Sequence, residues 1–151
     1  MKNQVLLMKK LMNFKEMELK YDSGEDSLEL TLEKWIRIYD YLESAFSLDH
    51  FNEALQAAMV PLFLCVEYRD RCEFCPLYRV CERGRSEIFN KVVRVMQAYT
   101  IAGDILPKET LLGVVENFID ELHKCPEPRV FLQYLLLDLY YLLIGICQVL
   151  V

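Results

Sequence analysis

Glycine, proline and histidine are all scarce in this chain: five, five and two in 151 residues. So few breakers leave little room for long loops or disordered stretches. The two histidines, His50 and His123, are remote in sequence from most of the cysteines, which argues against a Cys–His nucleophile. Strict apolar–polar alternation is also missing, so no strand is expected, and no segment repeats. Residues 1–20 are amphipathic, with Lys9, Lys10, Lys15 and Lys20, but no small-residue cleavage site follows. A secretory signal is therefore not expected, and the reducing cytoplasm is the expected compartment.

Positive charge is in deficit. Seventeen Lys and Arg face twenty-three Asp and Glu, for a net charge of −6. A chain so acidic is a poor candidate for coating nucleic acid along its whole surface. The deficit is uneven, however. From Cys65 to Arg94 seven basic residues stand against five acidic ones, while the rest of the chain carries a net −8. One local cationic patch could touch a phosphate backbone, although a solvated face of mixed charge is the plainer reading.

What the chain has in excess is apolar residues, 54% of the total. They recur at helical spacing. Residues 28–46 place Leu28, Leu32, Trp35, Tyr39, Leu42 and Phe46 on one stripe. Val5, Met8, Leu11 and Met12 do the same near the start. Ser47 is a natural N-cap for residues 48–64, in which Pro61 forces a kink or break. Ser86 can cap residues 87–102, and Gly103 can end them. Pro107 stands at the start of the next helix, and "CPEP" (125–128) stops it. The expectation is an all-α, single-domain bundle of about six helices, covering residues 1–151. A cysteine-rich loop, residues 65–85, falls between helices three and four. The acidic, Gly-containing linker 21–27 suggests that the helix within residues 1–20 is loosely attached.

The last segment, 130–151, is almost entirely apolar. At about 1.5 Å per residue it could reach across a bilayer core. Asp138 in its middle, with Gln133 and Gln148, opposes insertion, since a central charge costs about 2.5–3.5 kcal/mol. A central buried helix is the first expectation. An oligomer-forming face ranks behind it, and a membrane helix last. Asp138, if buried, needs a partner.

The sharpest pattern is "CVEYRDRCEFCPLYRVC", residues 65–81, which spaces Cys65, Cys72, Cys75 and Cys81 as C-x6-C-x2-C-x5-C. The two-residue gap lets neighbouring thiolates converge on one centre, and the longer gaps let the chain turn around it. A [4Fe–4S] cluster and tetrahedral Zn²⁺ both suit four thiolates. Only one short hairpin pair is present, which is unlike most zinc ribbons and places iron–sulfur first. Disulfides or unliganded core thiols are the remaining readings.

This spacing resembles the [4Fe–4S] loop of endonuclease III and the MutY-type adenine DNA glycosylases. Pro76 and Leu77 after the third Cys look like the adenine glycosylase branch. The resemblance implies that Cys65, Cys72, Cys75 and Cys81 are cluster ligands and that Arg69, Arg71 and Arg79 meet a DNA backbone. Arg83 and Arg85 extend that cationic run. The likeness covers about residues 60–85. The family's Gly-rich helix-hairpin-helix turn is not found in "ILPKETLLGV" (105–114), and its catalytic Asp and Lys have no counterpart, so catalysis is not carried over and an enzyme is not expected.

Other candidates read as structural. His123 and Cys125 form an H-x-C pair at a helix end, where a histidine is satisfied by carbonyls and the dipole. Cys125 and Cys147 look like small apolar residues. Glu116, Asp120 and Glu121 share a helix but lack a matching acidic motif for a di-metal site. Tyr68, Phe74 and Tyr78 interleave with the arginines and suit either base stacking or shielding of a cluster. The expected function is a small iron–sulfur or zinc helical protein, an accessory or subunit in DNA repair, processing or defence. The alternatives are an oligomeric assembly protein in which the metal only staples the fold, and an electron-transfer protein.

Overall fold

The computed structural model describes residues 10–81, 87–125 and 128–149, with the side chains of 128–134 and 147–149 outside that description. The described chain is all-α. Six helices have nine residues or more: α1 (Phe14–Asp22), α2 (Ser27–Glu43), α3 (Leu48–Ala58), α5 (Glu87–Ala102), α6 (Lys108–His123) and α7 (Pro128–Val149). A short α4 (Phe63–Glu67) and a 3-10 turn (Cys72–Phe74) lie between α3 and α5. No strand occurs among the described residues. The bundle read from periodicity is the one observed, and Pro61 falls in the break between α3 and α4.

Local chemistry sets the helix starts. Asp26 takes the backbone N–H groups of Leu28 and Glu29 on one carboxylate oxygen, satisfying two donors that α2 cannot satisfy itself. Ser47 accepts from His50 N at the start of α3, as its sequence position suggests. Ser86 lies outside the described residues. Gly24 sits at φ 97°, a left-handed turn between α1 and α2 that glycine adopts without a Cβ clash.

α2 is the centre of the bundle, packed against α3 on one side and α6 on another, while α5 rests on both. Trp35, 2% exposed, meets Phe118 edge-on at 4.5 Å and Phe89 at 6.4 Å, so one ring joins α2, α5 and α6. Ile38, Leu42, Ala54, Val92, Met96, Leu111, Val115 and Leu122 fill the rest of this core. Phe46, expected on the same stripe, lies past the end of α2 and is exposed. Gly103 does follow α5, but not as a left-handed cap. A Cβ there would stand 2.5 Å from both the Phe51 ring and the Tyr99 carbonyl, so glycine is required by close approach between α5 and α3.

Two expectations are corrected. The described part of the N-terminal segment is not loosely attached. Met12 and Met17 are buried with Leu30, and Phe63 stacks on Tyr21 and Phe14. Arg37 pairs with Glu16 and Glu33, while Lys20 also holds Glu33. Nor is the last helix a buried centre. From Leu135 to Ile146 every side chain of α7 is exposed, Asp138 included, with Leu142 at 63% and Tyr141 at 68%. The core was already closed by α2, α3, α5 and α6. Among the described residues no helix is long and apolar enough to cross a membrane.

Candidate metal–thiolate site

The cysteine segment leaves the bundle through α4. Leu64 is fully buried and anchors the helix in the main core. At its far end Glu67 accepts from Ser27 Oγ at 3.0 Å, tying α4 to the first residue of α2. The Tyr21 hydroxyl also bonds Glu67, and this bond, with burial and the carboxylate charge, raises the tyrosine above its ordinary value.

Beyond α4 the chain runs through a series of tight turns. Arg71 N donates to Tyr68 O, Phe74 N to Arg71 O, Cys75 N to Cys72 O, and Tyr78 N to Cys75 O, each across three residues. Val80 N and Cys81 N both donate to Leu77 O. Leu77 and Val80 turn inward and are buried, which pins the end of the loop to the core. The alternation of short turns with two apolar anchors coils residues 68–81 around a common interior.

Cys65, Cys72, Cys75 and Cys81 all line one narrow cavity, with Leu64, Tyr68 and Tyr78 completing its wall. Apart from two phenols, every polar donor there is sulfur. A set of thiols without carboxylate or imidazole suits Zn²⁺ or an iron–sulfur cluster and is unsuited to Mg²⁺ or Ca²⁺. Cys75 is partly buried, as are Cys72 and Cys81. Burial pushes it up to about 11; a bond from the Leu77 backbone opposes this, and negative charge on Cys65, Cys81 and Cys72 adds to it. Its proton would have to leave before a metal could bind.

The four sulfurs share the cavity but are not closed into a coordination shell. Among the described residues no three of His, Cys, Asp or Glu are gathered tightly enough to hold a metal ion. All four are free thiols, and Cys72 Sγ faces the Tyr68 carbonyl at 3.8 Å. A closed shell would have metal–sulfur distances of about 2.3 Å.

The arginines separate into three groups. Arg69 and Arg71 are exposed on the turn after α4. Arg79 instead closes the loop onto the bundle, donating from Nη1 to a Glu121 carboxylate oxygen at 2.9 Å and from Nη2 to the Glu121 carbonyl at 3.4 Å. Arg83 and Arg85 lie outside the described residues. Asp70 and Glu73 are exposed beside Arg69 and Arg71, which dilutes the patch. Phe74 and Tyr78 are exposed as well. The remaining candidates are structural: Cys125 is buried with its thiol on the Glu121 carbonyl, His123 is exposed at the end of α6, and His50 Nδ1 accepts from Phe46 N. Cys147 is outside the described side chains.

One group near the site gave no motif. Lys34 is 1% exposed, and its ammonium donates to the Ala58 and Val60 carbonyls, both at 2.8 Å. Burial pulls it down to about 7, while negative charge at Cys65 acts the other way. Leu30, Lys34 and Ile38 follow one another at i+4, so its place in the middle of a buried stripe was visible in the spacing.

No protein-family model, curated protein or solved structure matches the chain.

Proposed function

We propose that this is a metal–thiolate protein, in which Cys65, Cys72, Cys75 and Cys81 hold a [4Fe–4S] cluster or, as the alternative, Zn²⁺. The observation that carries this reading is the single sulfur-lined cavity shared by all four thiols. When bound, the centre supplies cross-links among α4, the turns and the Leu77–Cys81 anchor. A reducing compartment such as the cytoplasm suits it, because the ligands must stay free thiolates.

The ordered loop then serves as a recognition element for nucleic acid, as expected of an accessory in DNA repair, processing or defence. Arg69 and Arg71 meet phosphates, and Phe74 and Tyr78 offer exposed rings for stacking. Arg79 acts indirectly, by fixing the loop to α6 through Glu121. The likeness of the cysteine spacing to the endonuclease III loop supports this reading, and the neighbouring Asp70 and Glu73 limit it to weak, salt-sensitive contact.

Protein purified without oxygen tests the first part. Iron and sulfide in near-equal amounts, with a broad visible absorption band, are expected; stoichiometric zinc supports the alternative, and neither metal overturns the reading. Binding of a single-stranded and a duplex oligonucleotide at low salt tests the second part. Affinity is expected to fall as salt rises and to drop further in Arg69→Ala/Arg71→Ala. No binding at low salt favours a second reading, an assembly protein stapled by its metal. The exposed apolar surface of α7 supports that reading, because contiguous patches of this kind mark interaction sites.

A further inference from the structure

We infer that Lys34 is a positioning residue for the metal–thiolate site, a buried cation that fixes the turn presenting Cys65 and offsets the negative charge of the four thiolates. The inference rests on the metal reading above and assigns a role to a residue outside the cysteine motif.

The geometry has two parts. The Lys34 ammonium holds the Ala58 and Val60 carbonyls, which are the end of α3 and the start of the turn into α4. Pro61 and Leu62 follow, and Leu62 O accepts from Cys65 N. The first thiol therefore hangs from a segment whose root is clamped by a charged side chain of α2. The second part is charge. Four thiolates leave either Zn²⁺ or a [4Fe–4S] centre with a net negative charge, in a cavity walled by Leu64, Tyr68 and Tyr78. The Lys34 side chain lies in the core, where a charge is screened less than in water. Among the described lysines only Lys34 is buried, and Cys65 is the group whose negative charge favours its ammonium form. A lysine in a core is otherwise unfavourable, since burying it has a cost that two carbonyls offset only in part.

The chain contains its own control. Lys108 also donates to two backbone carbonyls, of Glu43 and Ala45, and so staples the end of α2. Neither lysine lines the thiol cavity, but only Lys34 holds the segment that leads into Cys65. Removing either amine loses the same kind of staple; only the loss of Lys34 unclamps the turn that presents Cys65.

The test compares Lys34→Met with Lys108→Met in the full chain. If the purified protein carries zinc, the probe is Co²⁺, titrated against a chelator and followed by its thiolate charge-transfer band. Lys34→Met is expected to bind about 10–100-fold more weakly, the usual effect of losing an outer-shell partner, and Lys108→Met to bind as the parent does. If the protein carries iron, the readout is the midpoint potential of its cluster. Loss of a nearby cation favours the oxidised form, so Lys34→Met is expected to be harder to reduce and Lys108→Met unchanged. Equal effects in the two variants, or none in Lys34→Met, overturn the inference and leave the metal reading standing. Should Lys34→Met not fold, the Lys34 ¹⁵Nζ resonance of the parent protein decides. It is expected to shift between metal-free and metal-loaded protein, and an unmoved resonance overturns the inference. A parent protein that binds neither metal removes both readings together.

Discussion

Two regions of this molecule hold their shape by different means. The bundle of α2, α3, α5 and α6 closes mainly on apolar side chains: Trp35, Ile38, Leu42, Met96 and Val115 are essentially inaccessible and belong to one cluster. The segment from α4 to Cys81 has few such contacts. Leu64, Leu77 and Val80 anchor it, and between them the chain depends on single three-residue turns and on the Arg79–Glu121 and Ser27–Glu67 links. Short turns exposed to water contribute little stability each. The bundle therefore rests on its own packing, whereas the cysteine segment rests mainly on local turns and two polar links. On the metal reading proposed above, the four thiols would hang from a fold that closes without them, and a bound metal would order the loop without setting the fold.

The contrast breaks most severely if the bundle is attacked. Trp35→Ala removes the ring shared by α2, α5 and α6 and is expected to cost about 3–5 kcal/mol in urea unfolding. That loss should be the same with and without chelator, because the ring does not line the thiol cavity. A chelator-dependent loss would show that the two regions are not separable. Cys72→Ser attacks the other side. It is expected to abolish metal binding and to remove the metal's stabilisation, about 2.7 kcal/mol when the free metal is a hundred times its Kd. Amide exchange should accelerate across residues 68–81, while helical circular dichroism and the protection of Ile38 and Leu42 persist. Global unfolding of Cys72→Ser would place the metal inside the folding core and erase the distinction.

The same contrast explains what could be read from the sequence. Helices announce themselves through a local period, so the stripe of α2 up to Leu42, the extents of α3, α5 and α6, and the Ser47 cap were legible. Whether a stripe finds a partner is a tertiary matter. The run in α7 is the most apolar of all, yet it is exposed from Leu135 to Ile146, because composition reports a need for burial and not the surface that meets it. Lys34 errs in the opposite direction: its charge suggests solvent, while the i+4 series through Leu30 and Ile38 places it inside. Gly103 was read as a helix terminator from local rules, and its real constraint, the Phe51 ring, comes from a helix about fifty residues away. At the thiols, spacing brought Cys65, Cys72, Cys75 and Cys81 to one cavity. It could not show that Arg79, exposed like Arg69 and Arg71, would pair with Glu121.

A gentler probe concerns α1, which is held partly by packing, like the bundle, and partly by surface links, like the loop. Burial raises the Glu33 carboxyl, but hydrogen bonds and charge from Lys20 and Arg37 outweigh it, so the group lies below its ordinary value. A carboxyl depressed in the folded state binds fewer protons there than in the unfolded chain between the two values. Its stabilisation is therefore complete above the ordinary carboxylate value, near about 4.3, and is lost as pH falls through the lowered one. Pairs this exposed are worth about 1 kcal/mol or less, and salt weakens them. Acidification through that window should accelerate amide exchange in α1, while Met17 and the Tyr21–Phe63 stack keep the helix docked. Glu33→Gln should show the faster exchange already at pH 7 and lose most of the acid dependence. Unchanged exchange in Glu33→Gln would mean that packing alone holds α1, which would put it with the bundle.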